Sequence, residues 1–86
     1  MEIKYTRKFL KKFKRLTDKE KLQVVKTQDL FKSNVKHPSL RLHKLSGDLY
    51  DMWSISVNMR LRIIIYPKHD FLQVIFLDIG GHEIYK

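Results

Sequence analysis

The spacing of apolar residues changes near the middle of this 86-residue chain, and that change limits the folds it can adopt. Before His37, apolar side chains recur three or four positions apart, as they do along one side of an α-helix. From Tyr50 onward they alternate with other residues, as in β-strands that bury one face. Helices followed by a run of strands indicate an α+β fold, and a chain of this length has room for one domain with one core.

Two helices are predicted in the first half. Thr6 is placed to cap the first helix, whose apolar side consists of Phe9, Leu10, Phe13 and Leu16. Thr17 and Glu20 have the spacing of a capping box, so the second helix is expected to begin at residue 18 and end near residue 33 or 34. The apolar residues of this helix fall on two of its sides. This pattern indicates that both sides are in contact with other residues, either elsewhere in the chain or in a partner. The apolar residues are Leu22, Val25 and Leu30 on one side and Val24, Phe31 and Val35 on the other.

Three strands are predicted in the second half, at residues 50–57, 60–66 and 71–79. Turns at residues 58–59 and 67–70 connect them, and strands joined by short turns pair in antiparallel order. Residues 2–5 are expected to add a short first strand. The predicted fold class is therefore α+β, with two N-terminal helices packed on a small antiparallel sheet in a single domain covering residues 1–86.

Positive charge is concentrated in the helical half. The chain has 18 Lys and Arg against nine Asp and Glu, a net charge of +9. Residues 1–44 hold 14 of the basic residues and four of the acids, a net charge of +10, whereas residues 45–86 have a net charge of −1. This asymmetry favours a polyanionic partner, most often a nucleic acid, and a lysine-rich solvated surface is the alternative. The basic side of the first helix includes the predicted phosphate contacts Lys11, Lys12 and Lys14.

Several classes of site lack the residues they need. The chain has no cysteine, which excludes disulfides and thiolate chemistry, and its four histidines are not spaced as metal ligands. It has no Gly-rich phosphate loop and no G-x-S-x-G sequence, so no metal and no cofactor are expected. The apolar runs are too short to span a bilayer, and charges interrupt the N-terminal segment. A cytoplasmic protein without membrane contacts is the expectation.

Cations and proton carriers in the second half remain as candidates for a site. Arg60 and Arg62 are two positions apart on one predicted strand, where they would form a positive patch for phosphate oxygens. A solvated strand face without a ligand is the alternative. The other candidates are His43 and Lys44, before a Ser-Gly turn, and His82 and Tyr85, after the last strand. For His82 the alternative is a tail histidine without a role.

The stretch LRLHKLSGDLYDMWSISVNMRLRIIIY, together with the ending DIGGHEIYK, resembles the C-terminal half of bacterial and archaeal toxins of the RelE/ParE superfamily. The similarity is greatest to the RelE and YafQ-like mRNA interferases. The shared elements are an HKLSG turn, a W-S-I strand, an R-I-I-x-Y strand and an ending of the form D-I-G-x-H-x-x-Y-K. The opening IKYTRKFLKKFKRL is similar to the family's first strand and helix, so the resemblance covers nearly the whole chain.

The resemblance implies the toxin of a type II toxin–antitoxin pair, which enters the ribosomal A site and cleaves translated mRNA without a metal. In that family the ribose 2′-OH attacks the adjacent phosphate, which requires a base, an acid and phosphate-binding cations. By this resemblance, Arg62 would hold the phosphate and His82 would act as acid or base. Tyr85 would stack on or position a base, and His43 corresponds to a histidine of the YafQ branch. Lys44 stands where RelE-like members often carry basic residues.

The sequence also departs from the YafQ branch. The second histidine and the aspartate that this branch carries in the strand–turn–strand region, around Ser56 and Arg60, are absent. Arg60 is expected to compensate by charge, as basic residues do in the RelE branch. Gly80-Gly81 is expected to turn the chain off the last strand and to bring His82 and Tyr85 over the strand face that bears Arg62.

The implied partners are a cognate antitoxin, usually acidic in its toxin-binding segment, and the ribosome with its mRNA. Three alternatives stay open. A ParE-like inhibitor of DNA gyrase would have no nuclease activity, although such proteins typically lack the terminal histidine that His82 provides. A non-catalytic basic nucleic-acid-binding module would need exposed aromatic pairs on its sheet, whereas Trp53 and most other aromatics are spaced as core residues. A degenerate toxin would keep antitoxin binding and lack activity.

Overall fold

The computed structural model describes residues 1–85, in which two helices pack on one face of a five-stranded sheet. In chain order the elements are β1 (Glu2–Tyr5), α1 (Arg7–Lys14), α2 (Asp18–Ser33), β2 (His43–Lys44), β3 (Trp53–Ser56), β4 (Arg62–Lys68) and β5 (Gln73–Gly80). Short 3₁₀ turns occur at Pro38–Leu40, Gly47–Leu49 and His82–Tyr85. The α+β fold with two N-terminal helices is confirmed. No helix within residues 1–85 has the length and apolar character needed to cross a membrane.

The sheet differs from the prediction in one respect, because it is mixed rather than antiparallel. Its strand order is β1-β5-β4-β3-β2. The meander β3-β4-β5 is antiparallel, as predicted. The two-residue strand β2 pairs with β3 in antiparallel orientation and forms one edge of the sheet. β1 instead pairs with β5 in parallel, from Glu2 opposite Gln73 to Tyr5 opposite Phe76. Both helices lie between β1 and the meander in the sequence, and such a long connection permits parallel pairing.

Both helices begin where the sequence predicts. The Thr6 hydroxyl accepts a hydrogen bond from the Phe9 backbone N–H at 3.0 Å and donates to the Leu77 carbonyl at 2.7 Å. Thr17 and Glu20 form the predicted capping box, with hydrogen bonds of 3.1 and 3.0 Å. The Thr6 bonds cap α1 and also fasten its first turn to β5.

The two apolar sides of α2 differ in how far they are buried. Val24 and Phe31 are buried in the core, whereas Leu22 and Val25 are 55% and 47% exposed. Leu30 packs at the edge of the core. The helix covers one face of the sheet, and residues 1–85 provide no second layer against its other side. Leu22 and Val25 are therefore largely exposed, and the predicted contact with a partner on this side stays a prediction.

The core lies between the helices and one face of β4 and β5. Ile63 and Ile65 face it from β4, opposite Ile79 and Phe76 of β5. A β-bulge sets this register: Ile64 and Ile65 are adjacent, but their partners are Asp78 and Phe76, so Leu77 is an extra residue in β5. The bulge explains why two core residues of β5, Phe76 and Ile79, are three positions apart rather than two.

The other face of the sheet, here called the open face, bears Ser54 and Ser56 of β3 with Arg62, Ile64 and Tyr66 of β4. Ser54 is opposite Ile64, and Ser56 is opposite Arg62. Two of the 3₁₀ turns approach this face, since Leu49 and Ile84 border the same depression as Ile64. The open face is therefore partly covered around Ile64.

The bounds of all three predicted strands differ from the structure. The strand predicted at residues 50–57 is Trp53–Ser56, the one predicted at 71–79 is Gln73–Gly80, and β4 differs at both ends. β4 begins at Arg62, so Arg60 belongs to the preceding turn and does not share a strand face with Arg62. β4 also continues through Pro67, which pairs with Val74, and the chain reverses over residues 69–71, where all three φ angles are positive. Pro67 has no backbone N–H to contribute, and the structure tolerates it near the end of the strand.

Trp53→Ala should destabilise the fold, because the Trp53 ring packs against the core with its centroid 5.9 Å from that of Phe71. We expect a loss of roughly 3–5 kcal/mol in the free energy of unfolding, measured by denaturant titration. Tyr50→Ala is the control, since Tyr50 is 67% exposed and should change stability by less than about 0.5 kcal/mol. Equal effects of the two changes would show that Trp53 is not a core residue.

Candidate active site

Arg62 lies on the open face at the first position of β4, and its guanidinium is held by the turn before that strand. Arg62 Nη1 donates to the Asn58 carbonyl at 2.6 Å and to the Leu61 carbonyl at 3.2 Å. No carboxylate within residues 1–85 forms an ion pair with it. Its charge is fixed in direction and not neutralised, which suits the binding of a phosphate.

Asn58 organises the turn that holds Arg62. Its Oδ1 accepts hydrogen bonds from the backbone N–H groups of Arg60 and Leu61, at 2.8 and 2.7 Å. Its Nδ2 donates to Gln23 Oε1 on α2 at 2.9 Å. Sequence reasoning assigned Asn58 only to a turn. The tendency of Asn side chains to bond backbone groups two residues ahead is the signal that could have identified this role.

Tyr85 is fastened to the open face. Its hydroxyl lies 2.7 Å from Ser54 Oγ, and Ser54 is fully buried. The ring of His82 is exposed and lies against the Tyr85 ring, with the two centroids 5.9 Å apart in an edge-to-face arrangement. The 3₁₀ turn thus brings Tyr85 to the sheet face that bears Arg62, as predicted, and positions His82 beside Tyr85.

Gly80-Gly81 permits this turn by lacking side chains. Gly80 is the partner of Arg62 across the strands, so the turn starts beside Arg62. A Cβ at Gly80 would lie 2.6 Å from Ile84 Cγ2, and a Cβ at Gly81 would lie 2.7 Å from Glu83 Oε2. Neither glycine has a positive φ. At Gly80 the need for glycine is therefore close packing against Ile84, whereas at Gly81 the contact is with the flexible end of Glu83. Neither position uses the backbone freedom that the sequence suggested.

Glu83 helps to hold the same turn. Its Oε1 accepts a hydrogen bond from the Gly81 backbone N–H at 2.9 Å. Hydrogen bonds from its own backbone N–H and from that of Gly81 lower the pKa of Glu83, and the charges of Lys12 and Arg60 add to this effect. Glu83 is consequently ionised at neutral pH and does not serve as a proton donor there.

His43 and Lys44 lie on opposite faces of the sheet. His43 is opposite Ser54, on the open face, whereas Lys44 is opposite Trp53, which faces the core. His43 Nδ1 is 3.2 Å from the Arg41 carbonyl oxygen. A carbonyl only accepts hydrogen bonds, so Nδ1 carries a proton and Nε2 is the nitrogen that can gain or lose one. His43 is therefore on the same face of the sheet as Tyr85, and Lys44 is on the other face.

Two of the predicted phosphate contacts are already ion-paired. Arg60 forms a salt bridge with Glu20 on α2. A hydrogen bond from the Thr17 backbone and the Arg60 guanidinium together lower the pKa of Glu20. Lys12 Nζ is 2.8 Å from Asp78, a carboxylate that is only 6% exposed.

The remaining cations of α1 divide into two kinds. Lys8 is also paired with Asp78, at 3.3 Å. Lys11 and Lys14 are exposed and form no ion pair within the described part of the chain. These two are the free cations of the predicted set on α1. No group of three or more metal-ligating side chains lies together among residues 1–85.

No family model and no curated protein matches this sequence. Solved structures do match it. The YoeB/ParE toxin from Agrobacterium tumefaciens is 13% identical with a TM-score of 0.79, covering 95% of this chain and 99% of the toxin. The archaeal RelE–RelB complex from Pyrococcus horikoshii OT3 contains a chain that is 14% identical with a TM-score of 0.76, covering 93% of this chain and 92% of that one. YafQ from E. coli strain BL21(DE3) is 18% identical with a TM-score of 0.70, covering 96% of this chain and 94% of YafQ.

Tyr85→Phe should loosen the C-terminal turn, because it leaves the buried Ser54 hydroxyl without its partner. We expect a loss of about 1–3 kcal/mol in the free energy of unfolding, measured by denaturant titration. The control is Tyr5→Phe, which removes an exposed hydrogen bond to Gln28 and should have a smaller effect. A Tyr85→Phe variant as stable as the parent would show that the bond to Ser54 does not hold the turn.

Proposed function

We propose that this chain, which has the fold of the RelE/ParE toxins, is the toxin of a toxin–antitoxin pair and cleaves mRNA during translation in the cytoplasm. The observation that carries the proposal is the grouping on the open face. Arg62, which forms no ion pair within residues 1–85, is held in a fixed direction, and the turn bearing His82 and Tyr85 begins beside it. Proteins of different activities share this fold, so the proposal rests on these side chains rather than on the fold.

The proposed reaction is attack by the ribose 2′-oxygen on the adjacent phosphorus. A bond forms between the 2′-oxygen and phosphorus, and the bond from phosphorus to the 5′-oxygen breaks, leaving a 2′,3′-cyclic phosphate. Arg62 would stabilise the negative charge on the five-coordinate phosphorus. One imidazole must accept the 2′-OH proton and another group must donate a proton to the departing 5′-oxygen. His43, through Nε2, and His82 are the two imidazoles available at this face.

Tyr85 has a supporting role in this proposal. Its hydroxyl bonds to Ser54, so its ring is held at a fixed position beside His82. An aromatic ring in that position would limit the movement of the imidazole and present a surface to a nucleobase. The hydroxyl itself is already engaged, which makes the ring the part of Tyr85 that is available to RNA.

The proposed partners are the ribosome and a cognate antitoxin. Lys11 and Lys14 on α1 provide exposed charge for ribosomal RNA, and their side of the helix is opposite the buried Phe9. One of the similar structures is described as a RelE–RelB complex, which supports a protein partner for this chain. An acidic segment would complement the net charge of +9.

Arg62→Ala and His82→Ala should each abolish growth arrest when the protein is expressed in bacteria without an antitoxin. Loss of the proton carrier should slow single-turnover cleavage of ribosome-bound mRNA by roughly 10²–10⁴-fold. Neither side chain belongs to the core, so both variants should melt near the parent temperature. His69→Ala is the matched control, because His69 is an exposed histidine in the turn between β4 and β5.

Three outcomes would contradict the proposal in different ways. Parent-rate cleavage by His82→Ala would remove His82 from the reaction. Growth arrest with intact mRNA and inhibited DNA supercoiling would favour a ParE-like inhibitor of DNA gyrase. Equal cleavage of free and ribosome-bound RNA by the purified protein would reject the dependence on translation.

Replacing Lys11 and Lys14 together with Glu should weaken ribosome binding and make it less dependent on salt. Each phosphate contact releases counterions when it forms, so a variant with fewer contacts releases fewer of them on binding. Lys12 is left unchanged, since a glutamate there would face the buried Asp78 carboxylate and damage the fold. Replacement of Lys26 and Lys32 on α2, both exposed, is the charge-matched control. Equal affinities in a sedimentation assay would exclude α1 from the ribosome-binding surface.

A further inference from the structure

Two open pockets beside β3 meet at Arg41. The first has a volume of about 340 Å³, and its walls include Arg41, Ser56 and Asn58. The second has a volume of about 350 Å³, and its walls include Arg41, Lys36, His37 and Trp53. The residues lining these two pockets are here called the Arg41 track, and Arg41 is the residue that both pockets share. The track includes Ser56 in the first pocket and Lys36 in the second.

The Arg41 track begins at the candidate active site. Ser56 is opposite Arg62 across the strands, and Asn58 provides the carbonyl that accepts the hydrogen bond from Arg62 Nη1. A polymer whose phosphate lies at Arg62 would therefore have this surface beside it. The track lies on the β3 side of β4. The turn formed by His82–Tyr85 follows β5, which is on the other side of β4.

Charge distinguishes the Arg41 track from the other pockets that contain cations. The pocket that includes Arg60 also includes Glu20, and the pocket that includes Lys8 also includes Asp78, each as an ion pair. Among the described residues, no carboxylate lines either pocket of the track. Arg41 forms no ion pair within residues 1–85. Its charge is available to an external anion.

The neighbouring residues add donors and an apolar surface. Lys36 is exposed and, like Arg41, has no ion pair in the described part of the chain. His37 Nδ1 accepts a hydrogen bond from the Ser39 backbone N–H at 3.2 Å, so the neutral ring carries its proton on Nε2 and can donate it outward. Trp53 is only partly buried and offers an aromatic surface at the wall of the second pocket.

The backbone of Arg41 is in the left-handed region, with φ 48° and ψ 44°. Such a conformation is unfavourable for a side chain of this kind and is natural for glycine. The strain is thus compatible with a role for the arginine side chain at this position, and it also provides a test, because Arg41→Gly removes the cation while relieving the strain.

We propose that the Arg41 track binds the segment of single-stranded RNA that adjoins the phosphate held by Arg62. Arg41 and Lys36 contact phosphates of this segment, and a base lies against Trp53. This proposal rests on the proposed function for the identity of the polymer. The track supplies affinity and alignment and takes no part in the bond-breaking step.

The test measures binding without cleavage. The probe is a short single-stranded RNA with 2′-O-methyl groups, which cannot undergo 2′-OH attack, and affinity is followed by fluorescence anisotropy over a range of salt concentrations. Replacing Arg41 and Lys36 together with Glu should weaken binding by at least about tenfold and reduce the salt slope by about 0.7 for each lost phosphate contact. The control replaces Lys26 and Lys32 with Glu, with the same change in net charge.

Arg41→Gly is the second variant, and it should fold at least as well as the parent while losing affinity for the probe. Equal losses in the Arg41/Lys36 variant and the Lys26/Lys32 control would overturn the proposal, because they would indicate non-specific attraction. Unchanged affinity of Arg41→Gly, or tighter binding of duplex DNA than of the RNA probe, would overturn it as well.

Cleavage assays of the same variants separate this proposal from the proposed function. If the parent cleaves translated mRNA and the Arg41 variants bind the probe normally, the proposal that the Arg41 track binds RNA is wrong and the proposed function stands. If the parent does not cleave mRNA but the variants lose affinity for the probe as expected, the proposed function fails and the RNA-binding track stands.

Discussion

The burial of one face of β4 and β5 beneath Phe9 and Phe31 is the interaction on which the rest of the structure depends. Side chains of a strand alternate between faces, so once Ile63 and Ile65 are directed toward the helices, Arg62 must be on the open face. A slip of one residue would turn the Arg62 guanidinium toward the core and move Ile63 and Ile65 to the open face. The position of the candidate active site is therefore a consequence of core packing.

The net charge of the chain overstates the charge that is available to a partner. Lys8 and Lys12 share the carboxylate of Asp78, which the bulge in β5 places opposite Ile64, and they connect α1 to the sheet. Arg60 connects the turn before β4 to Glu20 on α2. These pairs position the helices relative to the site, so part of the basic character has a structural use. Composition alone cannot separate such cations from those that remain free.

The features that the sequence predicted correctly are mostly local ones. The caps at Thr6 and Thr17 depend on residues three positions away, and both occur as expected. The parallel pairing of β1 and the bond between Tyr85 and Ser54 join distant parts of the chain, and no local pattern encodes them. The start of β4 could not be predicted for the same reason. Three consecutive isoleucines of this strand are buried, so their alternation does not show which face is which. Tertiary contacts and the turn held by Asn58 determine where the strand begins.

The C-terminal turn connects this packing to the proposed chemistry, because its attachments differ in their dependence on pH. The hydroxyl bond of Tyr85 and the burial of Ile84 involve groups that stay neutral in acid. The carboxylate of Glu83, by contrast, is charged at neutral pH and becomes protonated in acid. Since its pKa is lower in the folded protein than in the unfolded chain, its contribution is complete above its usual pKa and is lost as the pH falls through the lowered value. The turn therefore keeps its carboxylate anchor at neutral pH, where the bond from the Gly81 backbone N–H to Glu83 fixes the start of the segment that carries His82 and Tyr85.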